Sequence, residues 1–190
     1  MTGETRSRMI DAAVAALQRR GVAGMSFTEI LDESGAARGA IYHHFPGGKG
    51  ELVAEAATRN GADVRTVMAA IPGDTPVAVV ENFLATVRPV VEASAAGGGC
   101  AVAAVTVAPD GDALRRIADG AFSAWTTELA ARLSAAGLET PTAAENLATM
   151  LISLLEGAHV LCRASGTIDP FDRTAEAAIA MVAAGYPAAG

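Results

Sequence analysis

Aromatic residues are scarce in this chain of 190, at 4% against 51% hydrophobic residues overall. A sizeable core can still be buried, but it must consist mainly of Ala, Leu, Val and Ile, and side chains that small let helices approach closely. Cysteine is nearly missing as well. Cys100 and Cys162 make neither a disulfide framework nor a C-x-x-C spacing, so two buried, reduced thiols are expected. No stretch alternates apolar and polar residues long enough to argue for strands. Nor is there an uncharged apolar run of about 18 residues; the best candidate, residues 93–108, is too short and contains Gly97, Gly98 and Gly99. The N-terminus mixes Glu4, Arg6, Arg8 and Asp11 where a secretory leader would put a basic patch before an apolar core, so the expectation is a cytoplasmic protein with no membrane contact.

Catalytic patterns are also missing. No nucleophile–base pairing and no phosphate loop stands out, and Glu156 with His159 is an isolated pair three residues apart. Adjacent His43 and His44 would diverge by about 100° on a helix and lack an i+3 or i+4 partner, so no metal site is expected. Neither an enzymatic activity nor a cofactor is expected.

Charge is present but unevenly placed. Residues 1–50 carry six basic side chains (Arg6, Arg8, Arg19, Arg20, Arg38 and Lys49) and five acidic ones, a net of +1; the remaining 140 carry eight basic and sixteen acidic, a net of −8. A near-neutral module with local basic spots precedes an acidic body, which limits nonspecific attraction to polyanions to one docking face.

Apolar spacing reads as helix nearly throughout, giving an all-α chain of about nine helices. Ile10, Ala13, Val14 and Leu17 mark a first helix that stops before Gly21. Ser26 and Glu29 have capping-box spacing, with Met25 and Ile30 placed as the hydrophobic staple, and Gly35 is suited to end that second helix. A third short helix runs through Phe45 and is stopped by Pro46-Gly47-Gly48. This is a helix-turn-helix arrangement. Further helices are expected at 51–71, from Thr75-Pro76 to about Ala95, along Leu114 to Leu133, from Thr142 with Glu145 in capping-box spacing to about Ser165, and from Asp169-Pro170 to near Gly185, with a short apolar segment at 100–108.

Within the third helix, 100° per residue puts Ile41, Phe45, Ala37 and His44 on or beside the inner face, and Gly39, Ala40, Tyr42 and His43 outside. An outer face of small residues flanked by donors suits a helix entering a major groove. Arg38 could reach a guanine edge or a phosphate, Tyr42 and His43 could donate to phosphate oxygens, and Lys49 adds charge at the next helix start. Ser26 and Thr28 could contribute from the second helix.

The run Ser26-Phe-Thr-Glu-Ile through Gly35-Ala-Ala-Arg-Gly-Ala-Ile-Tyr-His-His-Phe-Pro-Gly-Gly-Lys-Gly-Glu-Leu52 resembles the DNA-binding head of TetR-family transcriptional regulators. The doubled glycine before Lys49, and Gly98-Gly-Cys-Ala-Val-Ala-Ala-Val105, resemble the LmrA/YxaF-like subgroup. The resemblance implies DNA-facing roles for Arg38, Gly39, Ala40, Tyr42, His43, His44 and Lys49. It departs from the family at Ala37 and Ala40, where Ser or Thr is common and a hydroxyl cap is lost.

The implied organisation is a DNA-binding domain at 1–50 and an effector-binding and dimerisation domain at 51–190. One short recognition helix reads few base pairs, so a dimer on a palindromic DNA operator is expected. Leu147, Leu151, Leu155 and Ala158, with Ala175, Ala178, Ile179 and Val182 from the last helix, are the expected interface. Phe83, Val87, Cys100, Val105, Phe122, Trp125, Leu129, Met150 and Leu154 are candidate ligand-lining residues, with Glu156 and His159 as polar contacts for a small-molecule effector, apolar or aromatic. The leading expectation is a repressor released by that effector. Two alternatives stay open: a helical ligand carrier or enzyme with a vestigial head, and a DNA-binding regulator that senses oxidation through Cys100 or Cys162.

Overall fold

The computed structural model describes residues 2–108 and 112–185. The described residues form helices and connecting turns: α1 (Thr2–Gly24), α2 (Phe27–Ser34), α3 (Ala40–His44), α4 (Gly48–Ala69), α5 (Pro76–Ala95), α6 (Ala101–Ala104), α7 (Asp112–Ala135), α8 (Pro141–Ser165) and α9 (Asp169–Gly185). The chain divides into two compact units. The first comprises the residues up to Ala62 together with Cys100–Ala121, and the second comprises Asp63–Gly99 with the residues from Phe122 onward.

In the first unit α1 packs on α2 and on α6. Met9, Ile10, Ala13, Ala16 and Leu17 are buried along the expected stripe of α1. That helix continues in name to Gly24, but Gly21 sits at φ 65°, ψ −176°, so the regular helical run breaks where the sequence places its end. The expected start of α2 is present: Ser26 Oγ accepts from the Glu29 N–H at 3.2 Å, and the staple residues Met25 and Ile30 are buried. The second half of the capping box goes elsewhere, because the Glu29 carboxylate faces Arg19 and Arg20 at 3.2 and 3.5 Å. A carboxylate gains more from two guanidinium groups than from one backbone N–H. Gly35, at φ 65° and ψ 23°, ends α2 in the left-handed conformation that glycine adopts without a Cβ penalty.

In the second unit α5, α8 and α9 pack on one another. α5 opens as expected, with Thr75 Oγ1 accepting from Ala78 N–H at 3.2 Å and Pro76 in the first turn. α8 starts earlier than the Thr142–Glu145 spacing suggests. Thr140 is the cap, accepting from Ala143 N–H at 3.2 Å, because Pro141 fits the first helical position, where no N–H is needed. Polar ties join the packed helices: Ser94 Oγ to His159 Nδ1 at 2.6 Å, Arg88 to Asp172, and Arg132 Nε to Ile71 O at 2.7 Å. Among the described residues, α8 is also a helix long and apolar enough by composition to span a bilayer, and it displaces 93–108 as the best candidate. Its Leu147, Leu151, Leu155 and Cys162 are nevertheless buried within the protein.

Candidate nucleic-acid interface

α3 is five residues long, too short to hold itself together in water. Two anchors pin it. Ile41 and Phe45 are 1% and 0% exposed, and burial of each contributes about 1.5–3 kcal/mol. Arg6 lies over the Phe45 ring at 4.9 Å and pairs with Glu55 of α4, which ties the α3 exit to α1 and α4. No side chain caps the α3 start, and Ala40 N–H instead bonds Ala37 O at 2.8 Å. Ala37 therefore sits in a turn and is exposed, where helical spacing had placed it inward; the 100° rule does not apply outside the helix.

The outward side carries most of the expected DNA-facing residues. Arg38, Gly39 and His43 are exposed, Tyr42 is 65% exposed, and Ala40 and His44 are half-buried. The Tyr42 ring stands edge-on to Phe27 of α2, with centroids 5.9 Å apart, which holds its hydroxyl outward. The rings of His43 and His44 lie 5.0 Å apart and 71° from coplanar. Ser26 and Thr28 are exposed at the head of α2, the former with its oxygen engaged as the cap. Lys49 is half-buried in the first turn of α4. That turn also holds a residue not anticipated from sequence: Glu51 Oε2 accepts from Gly47 N–H at 2.7 Å, so a carboxylate takes up part of the anion preference at the α4 start. A glutamate four residues after a Pro-Gly stop was the available signal.

Ion pairs sort the basic residues of this region. Arg6 pairs with Glu55, Arg8 with Glu4 at 3.8 Å, Arg19 with Glu29 and Glu33, and Arg20 with Glu29. Among the described residues, Arg38 and Lys49 are the cations of residues 1–50 that no acid neutralises. They flank α3 on both sides in the chain.

Residues 9–56 match the family described as "Bacterial regulatory proteins, tetR family", and residues 76–177 match "Transcriptional regulator LmrA/YxaF-like, C-terminal domain". The chain belongs to the TetR family. An uncharacterised HTH-type transcriptional regulator of Mycobacterium tuberculosis, Rv0196, is 31% identical over 174 residues, covering 88% of each chain. YxaF of Bacillus subtilis, also an uncharacterised HTH-type regulator, is 28% identical over 163 residues, covering 84% of this chain and 85% of its own. In fold, the TetR-family regulator of Cytophaga hutchinsonii superposes with a TM-score of 0.77 at 24% identity, over 100% of this chain and 98% of that one. The protein is thus a DNA-binding transcriptional regulator with an all-helical TetR fold and an LmrA/YxaF-like C-terminal domain.

The residues anticipated for ligand binding in this TetR-family chain separate into groups. Phe83, Val87, Trp125 and Leu129 are buried in the second unit, at most 4% exposed. Cys100 and Val105 belong to the first unit. There the Cys100 sulfur accepts from Ala103 N–H at 3.3 Å and caps α6, half-buried where full burial was expected; Cys162 is buried, and neither forms a disulfide. Met150 and Leu154 line a groove of about 460 Å³ between α8 and α9, and Phe122 lines another of about 570 Å³ between α7 and α8. Glu156 is half-buried, while His159 is buried and bonded to Ser94. Desolvation lowers the His159 pKa from its ordinary 6.5 to about 4, so the ring is neutral at pH 7.

Of the anticipated interface residues, Leu147, Leu151, Leu155, Ala158, Ala178 and Val182 are buried within the single chain, and Ala175 and Ile179 are half-buried. The leucine stripe of α8 faces the protein's own core. The apolar face left in water is the neighbouring one, with Val160 68%, Leu161 52% and Met181 51% exposed.

Proposed function

We propose that the protein is a cytoplasmic homodimeric repressor that binds a palindromic operator and is released by a small, largely apolar or aromatic effector. The observation that carries the DNA contact is the pair of unneutralised cations, Arg38 and Lys49, on either side of a helix whose outer face is Gly, Ala, Tyr and His. In this reading residues 1–50 bind DNA: Gly39 and Ala40 let the backbone approach base edges, Arg38 and Lys49 neutralise phosphates, and Tyr42 and His43 donate to phosphate oxygens. Ser26, Thr28 and His44 contribute at the margin.

Residues 51–190 supply the dimer contact and the effector site. The α8–α9 groove supports a second copy as its occupant, because none of its lining residues is charged and exposed Leu161 and Met181 border it. An uncharged apolar strip of this kind suits a self-complementary interface. The contact is therefore assigned to Met150, Leu154, Leu161, Ala177 and Met181, with the buried leucines supporting it from behind.

The test is a gel shift on DNA flanking the gene, across a range of salt concentrations. Tyr42→Phe combined with Lys49→Ala should weaken binding and lower the salt slope by about 1. Unaltered affinity and slope in that double variant would remove the phosphate-contact assignment.

A further inference from the structure

The groove between α7 and α8 is chemically unlike the one between α8 and α9. It encloses about 570 Å³, and its lining combines hydroxyl side chains and one carboxylate, Glu145, with the Phe122 ring, Ala130 and Pro141. None of its lining residues is basic. Glu145 is exposed and has no ion-pair partner among the described residues.

Two of the hydroxyls have a fixed direction. Thr127 Oγ1 donates to Ser123 O at 2.8 Å, and Thr149 Oγ1 donates to Glu145 O at 2.8 Å. Their hydrogens are thus spent on their own helices, and oxygen lone pairs are what remain for the groove. The start of α8 offers few donors in compensation: Pro141 has no N–H, and that of Ala143 is taken by Thr140 Oγ1. The walls therefore present these lone pairs and one negative charge, with no positive charge, beside the apolar Phe122, Ala130 and Pro141, while the hydroxyls of Ser123, Thr126 and Ser134 are able to accept as well as donate. Such a surface prefers a donor-only, positively charged head group carrying an apolar body, and it disfavours anions.

From this arrangement we infer that the α7–α8 groove binds a small organic ammonium cation with an aromatic or aliphatic body. That such a cation is the effector rests on the regulatory reading above; the binding itself does not. Glu145 forms the charge-assisted bond, the lone pairs of Thr127 and Thr149 accept further ammonium hydrogens, and the body lies on Phe122.

Trp125 is the only tryptophan of the chain and stands edge-on to Phe122, with centroids 5.1 Å apart, so its fluorescence reports occupancy. The full chain is titrated with 2-phenylethylammonium, 2-phenylethanol and phenylacetate, which share a ring and differ in charge, with calorimetry alongside. A ligand this small should bind in the millimolar range, roughly. The ammonium should saturate, the alcohol should bind about tenfold more weakly, and phenylacetate should not bind. Glu145→Gln, a change at an exposed position, should weaken the ammonium about tenfold and leave the alcohol unmoved. Thr127→Val, which keeps the shape and removes the lone pairs, should weaken the ammonium severalfold.

The site is overturned if the alcohol binds as tightly as the ammonium, if Glu145→Gln changes nothing, or if no saturation occurs. An operator gel shift with the same cation separates the two readings. Binding that depends on Glu145 without any change in operator affinity keeps the site and removes its role as effector; failure of operator binding altogether removes the repressor reading and leaves the site standing.

Discussion

α3 and α8 hold their places by opposite means. α3 has five residues, no side-chain cap and two buried anchors, and it spends nearly all its remaining surface outward. α8 has twenty-five residues, a threonine cap at one end and a left-handed glycine at the other, and it buries a full face of leucines while keeping a second apolar face in water. The short helix is fixed by neighbours and is free to display chemistry; the long one is fixed by its own length and displays mainly apolar surface. What the first unit displays depends on a few anchors, and what the second displays depends on which of two apolar faces points out.

The comparison breaks most sharply at Phe45. Phe45→Ala should cost about 3–5 kcal/mol of first-unit stability and abolish operator binding, as read by urea denaturation and gel shift. An operator affinity within a factor of two of the parent would show that α3 does not depend on its anchor.

Next in size is the body's buried imidazole. The folded pKa of His159, about 4, lies below the unfolded 6.5, so the unfolded chain binds the extra proton between those values. Its contribution is complete above about pH 6.5 and fades as pH falls toward 4, a loss of at most about 3 kcal/mol. Denaturation midpoints measured from pH 7.5 down to pH 4.5 should show this slope, and His159→Gln should flatten it. A variant with the parent's slope would assign the acid sensitivity to other groups.

For the outward face of α8 and α9, Leu161→Asp with Met181→Asp should weaken self-association about tenfold or more and leave the single chain folded. Sedimentation velocity reads the result, and an unshifted dimer would place the contact elsewhere. The smallest effect is expected at the bare start of α3. Ala37→Ser should add a hydroxyl cap there and stabilise the helix by about 0.5–1 kcal/mol, visible as slower amide exchange at Ile41 to His44. Unchanged exchange would mean that the turn at Ala37 cannot present the hydroxyl to α3.

The head was largely legible because its signals are local and punctuated. Ser26, Gly35 and Pro46 mark boundaries by backbone chemistry alone, and Ile41 and Phe45 fall inward by simple angular counting. What sequence did not disclose there was competition between neighbours: Glu29 prefers two arginines to its own helix start, and Glu51 reaches back to Gly47. In the body, periodicity located the helices but could not orient α8, since Leu147, Leu151 and Leu155 on one side and Met150, Leu154 and Leu161 on the other are equally apolar. Thr142 and Glu145 imitated a cap that Thr140 and Pro141 supply. Residue type also does not separate packed core from cavity wall, so Trp125 and Leu129 read like Phe122, which alone of the three lines a described groove.

The separation of charge between the first fifty residues and the rest gives salt two opposite effects. In the proposed reading, added electrolyte weakens the grip of Arg38 and Lys49 on phosphate, yet it also screens the mutual repulsion of two bodies that each carry a net −8. For the proposed dimer, which must assemble before it binds, operator occupancy at low protein concentration should therefore pass through a maximum at intermediate ionic strength.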